Sequence, residues 1–469
     1  MNILKEYRLI PLEEQNGTLK LLVPKSFSEE EVEEIRFRTG KDVELVVLPD
    51  EEFAKELQER LSAEDIHIEG EEEETKEGLD LLQAQDDSPA VSLVNQVLIK
   101  ASTVGASDVH FEPYEDEAVV RLRMDGVLHD VLKIPSSTYQ NVVSRIKVMS
   151  NLNVAEKRVP QDGRIRVKIG SKDLDIRVSV VPTVFGERVV LRLLDKTGAL
   201  LTLQQLGLSK EDREKVERLA KKPYGIVLVT GPTGAGKSTT LYAMLLYVKD
   251  PKKNIITIED PVEYQIKGIS QIQVNPKVGL TFASGLRSVL RQDPDIIMVG
   301  EIRDAETADI AVHAALTGHL VLSTLHTNDA PSAITRLSDM EIEPFLIASS
   351  LEGVIAQRLV RRICQHCKEP YKPDDEELKE LGVEGYEGEF YRGRGCDQCL
   401  GTGYRGRIGV YEVLELDEDL KALITRTQDS NEIKKVAREK GYKTMLEDGI
   451  EKVKKGITTS SELLSVIRS

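Results

Sequence analysis

Apolar positions along the chain combine two periods with a few unbroken runs, and together they predict an α/β protein. Residues 225–230, 296–299 and 320–325 are short and almost wholly apolar, the composition of strands buried on both faces. Residues 108–111, 118–124, 164–169, 174–181 and 188–194 read as further strands, and the apolar residues of 91–102, 137–149 and 241–247 suit helices. The first 68 residues repeat the mixture on a smaller scale. Strands are expected over 7–12, 18–24 and 43–48 and helices near 28–38 and 51–61, with Ser26 and Ser28 ahead of glutamate-rich first turns as N-caps.

A chain of 469 residues exceeds what one hydrophobic core organises, so several domains are expected. No run reaches the roughly 18 apolar residues of a membrane span. The first residues lack an apolar signal segment, which places the protein in the cytoplasm. The formal net charge of -17 opposes a general nucleic-acid surface, and no nucleic acid is expected as a partner.

Residues 231–238 join the apolar run 225–230 to the helix that follows, and they have the spacing of a P-loop. Gly231, Gly234 and Gly236 let backbone N–H groups curl around an anion at a helix start. Lys237 then reaches the β- and γ-phosphates, and Ser238 offers its hydroxyl to Mg²⁺. The nucleotide-binding set is Gly231, Thr233, Gly234, Ala235, Gly236, Lys237, Ser238 and Thr239, with Asp260. Strand ends near Glu259, Asp260 and Glu263, near Glu301 and near His326 should reach the sheet edge that holds the P-loop. Carboxylates there suit Mg²⁺ binding and orientation of a water, and His326 suits sensing of the γ-phosphate. Upstream, a hairpin centred between Val184 and Phe185 would set Arg177 opposite Arg192. Like charges so placed imply either an anion between them or a solvated face.

The chain resembles the secretion ATPases that power bacterial type II secretion and type IV pilus assembly. The resemblance rests on the P-loop 231–238, the acidic segment 256–263, the segment 295–304, the histidine segment 318–326, and upstream 107–113, 175–179 and 186–192. It implies a RecA-like ATPase core, a hexameric ring, and Arg177 and Arg192 reaching the nucleotide's phosphates. It also implies Glu301 as the catalytic carboxylate, supported by Glu259, Asp260 and Glu263. The organisation expected is an N-terminal α/β docking domain at 1–68, an acidic linker at 69–88, and a second N-terminal, PAS-like α/β domain at 89–196. A RecA-like domain at 206–362, a cysteine module at 363–405 and a helical region at 406–469 follow. The partners implied are an inner-membrane platform protein and a cytoplasmic docking protein of the machine, with the ATPase peripheral at the inner membrane. A retraction motor is disfavoured by the N-terminal module and the cysteines, and the missing arginine-led cyclic-dinucleotide motif tilts the reading from pilus assembly toward secretion. A nucleic-acid translocase, and a module using ATP only as a regulatory ligand, are the other readings.

Cys364, Cys367, Cys396 and Cys399 are all the cysteines in the chain. Two Cys-x-x-Cys pairs separated by 28 residues in a reducing compartment read as a structural Zn²⁺ site. The spacer exceeds the usual roughly 15–20 residues, and a helical insertion at 374–381 would absorb the excess. Two redox pairs are the alternative; four thiolates leave no open position for catalysis, and His366 is a bystander.

Overall fold

The computed structural model describes residues 10–15, 18–25, 27, 32, 42–49, 53, 79–80, 88–170, 172–195 and 200–468. Two compact units divide the chain at residue 78. In the first, β1 (Ile10–Gln15) pairs antiparallel with β2 (Thr18–Pro24), and β2 pairs in parallel with β3 (Asp42–Leu48). Leu21, Val23 and Val43 pack with Val32, whereas Leu22 packs with Phe53. The caps Ser26 and Ser28, most of the helices expected near 28–38 and 51–61, and most of the acidic linker lie outside the described residues.

The second unit contains two seven-stranded sheets. The first has the order β4 (Leu79–Asp80), β8 (Gln161–Ile169), β9 (Lys172–Thr183), β10 (Gly186–Asp195), β5 (Asp108–Pro113), β6 (Glu117–Met124) and β7 (Val127–Pro135). Helices Pro89–Val104 and Ser136–Met149 cover one face, where Val94, Leu98, Val142 and Ile146 meet Phe111, Ile176 and Leu191. The opposite face carries the charged alternates of the same strands, so one period-2 pattern builds both a core and a polar surface. The hairpin of β9 and β10 has the expected register, with Thr183 opposite Gly186 and Arg177 opposite Arg192. β7 has no counterpart in the sequence reading, because as a largely exposed strand it lacks an apolar rhythm.

The second sheet has the order β13 (Ser270–Gln273), β12 (Ile255–Glu259), β14 (Ile296–Val299), β15 (Leu320–Leu325), β11 (Gly225–Thr230), β16 (Leu351–Ile363) and β19 (Tyr404–Glu415). All strands are parallel except β19. Helices on both faces bury β11, β14 and β15 completely, which explains their unbroken apolar composition. Residues 406–415, expected within a helical region, instead run in β19, whose Val410, Tyr411, Val413 and Leu414 are buried beside β16. Pairing to β16 overrides the local pattern there. The segment between β16 and β19 carries the cysteines, the hairpin of β17 (Lys368–Tyr371) and β18 (Phe390–Gly393), and helix Asp375–Leu381, which Asp374 caps. Four helices follow, from Glu418–Ile424 to Ser460–Arg468.

Gly353 marks a tight crossing in this core. A Cβ added there would lie 2.6 Å from a Leu219 methyl and 3.1 Å from the Leu414 carbonyl oxygen. Gly353→Ala should therefore destabilise the core by about 1–3 kcal/mol through overpacking. A lowered denaturant midpoint for the second unit is the expected measurement, with the nucleotide site intact in the surviving folded fraction.

Candidate functional site

Parallel pairing sets the geometry of the site. Val299 lies beside Ser323, and Leu325 beside Thr230, so Glu301, His326 and Gly231 all follow neighbouring strand ends. Gly231, Gly234 and Gly236 take φ values of 149°, 80° and 86°, conformations a Cβ would strain. Gly231 is doubly constrained, because a Cβ there would also meet the Gln357 carbonyl oxygen at 2.5 Å. Helix Lys237–Val248 then starts with Lys237, Ser238 and Thr239 in its first turn. Thr233, Gly234 and Ser238 are exposed, and Ala235 is buried beneath them.

Lys237 Nζ donates to the carbonyl oxygens of Gly231 (2.9 Å) and Pro232 (3.0 Å). Burial lowers its pKa, and the neighbouring Glu301 opposes that shift. Glu301 Oε2 lies 2.7 Å from an Arg303 guanidinium nitrogen, and its Oε1 lies 3.0 Å from His326 Nε2. Burial raises the Glu301 pKa, but Arg303, His326 and Lys237 outweigh that effect and hold the carboxyl below its usual range. At neutral pH it is a carboxylate, able to accept a hydrogen bond from a water.

The acidic segment divides. Glu259 is buried, and its carboxylate accepts hydrogen bonds from Tyr242, Thr257 and Gln271. Asp260 is exposed, and Glu263 lies half-buried with an oxygen 3.5 Å from an Arg177 guanidinium nitrogen. Arg192 instead pairs with Asp108 at 3.0 Å. The structure therefore brings Arg177 to the acidic segment and leaves Glu259 enclosed by neutral partners.

Several residues that serve this site were not evident from the sequence. Gln357 is buried behind the P-loop, donating to the Ala235 carbonyl (2.7 Å) and accepting from the Thr240 hydroxyl (2.7 Å). The Thr230 hydroxyl donates to the Leu325 carbonyl oxygen and accepts from the Thr327 amide at 2.8 Å, tying the P-loop strand to the histidine loop. Arg358 donates to Asn328 in that loop at 3.2 Å, and Glu412 accepts from the amides of Ala330 and Met445. The available signal was the polar pair Gln357 and Arg358 inside the apolar run 354–360.

The four cysteine sulfurs lie within 4.8 Å of one another, with neighbouring separations of 3.7 and 3.9 Å. A tetrahedral ion with metal–sulfur bonds of about 2.3 Å requires sulfurs roughly 3.8 Å apart, so the cluster fits a four-thiolate site. Burial opposes ionisation of Cys399, but the amides of Cys396 and Gly403 more than offset it and lower its pKa. No disulfide links these cysteines.

A parallel sheet with a P-loop on a central strand, and a carboxylate at the end of the next strand but one on the same edge, defines a P-loop ATP hydrolase. Residues 83–465 match the family described as type II/IV secretion system protein, and residues 1–67 match the MshEN domain. The chain belongs to the type II/IV secretion system protein family. It is 54% identical over 390 residues to type II secretion system protein E of Pseudomonas aeruginosa, a match covering 83% of this chain and 78% of that protein. It is 51% identical over 397 residues to the type IV pilus assembly ATPase PilB of Thermus thermophilus, covering 84% of this chain and 44% of that protein. The crystal structure of the pilus retraction motor PilT with bound ADP superposes with a TM-score of 0.54 at 28% identity, covering 79% of this chain and 95% of that one.

Gln357→Ala would leave the Ala235 carbonyl and the Thr240 hydroxyl without their buried partner, a loss worth about 1–3 kcal/mol. Titration with a fluorescent ATP analogue should show affinity reduced by roughly tenfold, with the fold retained.

Proposed function

We propose that the chain is the ATP-driven motor of a type II secretion machine. The observation that carries this reading is Glu301, held as a carboxylate between Arg303 and His326 at the sheet edge where Lys237 begins the P-loop helix. Lys237, with the amides of Gly234 to Thr239, binds the phosphates, and Glu301 orients the attacking water. His326 senses the γ-phosphate through its contact with Glu301. Glu263 and Asp260 add negative charge beside Mg²⁺, and Glu259 assists by fixing Tyr242 under the acidic segment. The exposed Ser238 hydroxyl in the first helical turn suits a magnesium ligand, and the ion would neutralise phosphate charge there.

Arg177 and Arg192 close on the nucleotide from the first sheet, coupling hydrolysis to a movement between the two sheets. The chain works as a homohexamer against an inner-membrane platform protein, with residues 1–68 as the docking domain for a second partner. A cytoplasmic position at the inner membrane suits a chain in which no described helix is long and apolar enough to span a bilayer. Pilus assembly is the second reading, favoured by the identity to PilB. Secretion is preferred because the P. aeruginosa secretion protein matches at 54% identity against 51% for PilB, and type II secretion proteins of Vibrio cholerae and Aeromonas hydrophila match at 50% and 46%.

Cys364, Cys367, Cys396 and Cys399 hold a structural Zn²⁺, which contributes folding energy on the order of 10–16 kcal/mol in small zinc peptides. Cys396→Ser should abolish a stoichiometry of one zinc per chain, read by elemental analysis. It should also melt the segment from Ile363 to Tyr404, read by proteolysis, while β11 stays protected and nucleotide still binds.

Glu301→Gln should leave Mg-ATP binding nearly intact and lower kcat by about two or more orders of magnitude. Binding and turnover measured on the same preparation check this, and wild-type turnover would transfer the water-orienting role to another carboxylate.

A further inference from the structure

Pairing of β8 with β9 places Arg164 directly opposite Arg177, on the side away from Arg192. Three adjacent strands thus carry arginine at one level, Arg164, Arg177 and Arg192, followed by Asp108 and Arg123 on the next two. Like charges at directly opposed positions destabilise a sheet, and here two such oppositions stand side by side. The three members differ in how they are neutralised. Arg192 has Asp108 and Arg177 has Glu263, whereas among the described residues no carboxylate lies within ion-pair distance of Arg164.

The three arginines, with Asp162 and Ser179, line a hollow of about 490 Å³. The backbone that presents Arg164 is held in place from beneath. A Cβ on Gly163 would lie 2.7 Å from the Ser150 carbonyl oxygen, so the end of helix Ser136–Met149 presses directly on β8. Gln161 reinforces this, accepting from the Asn153 amide at 2.9 Å and donating to the Glu156 carbonyl at 3.0 Å. Strands about 4.8 Å apart spread the three guanidinium stems over roughly 10 Å, which suits a chain of phosphates better than one small anion.

We infer that Arg164 is a third phosphate-binding arginine, meeting the polyphosphate of the nucleotide from β8 as Arg177 and Arg192 meet it from β9 and β10. This rests on the reading that Arg177 and Arg192 contact that nucleotide. A guanidinium with no carboxylate partner can turn to phosphate without first breaking an ion pair, so Arg164 adds charge that the other two arginines spend partly on Glu263 and Asp108.

The test uses the full chain and steady-state ATP hydrolysis, with Arg164→Ala, Arg164→Lys, Arg177→Ala, Arg192→Ala and Arg166→Ala measured side by side. Arg166 is exposed on the same face of β8 but pairs in register with Asp175, outside the hollow. Arg164→Ala should lower kcat/KM by about 10- to 100-fold, the value of one or two charge-assisted hydrogen bonds. Arg164→Lys should recover part of that loss, and Arg166→Ala should stay within about twofold of wild type. Wild-type kcat/KM in Arg164→Ala, with Arg177→Ala and Arg192→Ala impaired, would overturn the inference and leave the two-arginine reading standing. Wild-type values in all three alanine variants would instead remove the phosphate reading of the whole face. An equal loss in Arg166→Ala would reduce the effect to general surface charge and overturn the assignment.

Discussion

Parallel pairing of β12, β14, β15, β11 and β16 is the constraint on which the rest depends. Parallel strands end on the same side, so residues far apart in sequence arrive at one edge without any loop having to reach across the molecule. Gly231, Glu259, Glu301 and His326 reach that edge by position alone. The buried side chains behind it, Gln357 and Thr230, then fix the loops against one another by hydrogen bonds. A site built this way tolerates little slippage, since a one-residue shift would turn each of these side chains to the opposite face.

The carboxylates are used unequally, and burial explains the division. Glu259 is enclosed with neutral donors and serves to fix Tyr242 and Gln271. Glu412, deeper still, has its pKa raised by burial and joins the loop after His326 to the C-terminal helices through two amides. Glu301 combines partial burial with Arg303 on one side and His326 on the other, which keeps it charged and accessible. Negative charge near a phosphate is tolerable only where cations compensate it, and this edge supplies Lys237, Arg303 and, from the first sheet, Arg177.

The first sheet carries its charge differently. Its covered face is apolar, while its open face lines up arginines at one level and pairs only some of them with acids. An exposed row of this kind contributes little to stability, because surface ion pairs are weak. Its physical consequence lies in a strong local field of one sign, suited to an anionic ligand.

The sequence by itself determined the elements whose reasons are local. The P-loop was legible because phosphate binding needs glycine backbone and a helix start within eight residues, and the cysteine module because thiolates at fixed spacing close a tetrahedron. The register of β9 with β10 was legible too, since a tight turn at Val184 and Phe185 leaves one pairing that buries Ile176, Val178 and Leu191 together. Only the tertiary structure decided the rest. Gln357 reaches Ala235 across 122 residues, β19 is a strand because β16 pairs with it, and Glu259 is enclosed because Tyr242 and Gln271 fold over it. Arg164 joined the row through the short turn at Gly170, a signal present in the chain but without meaning until β8 and β9 were known to pair. Local chemistry is written in neighbouring residues, whereas a contact between distant ones depends on the packing of every element between them.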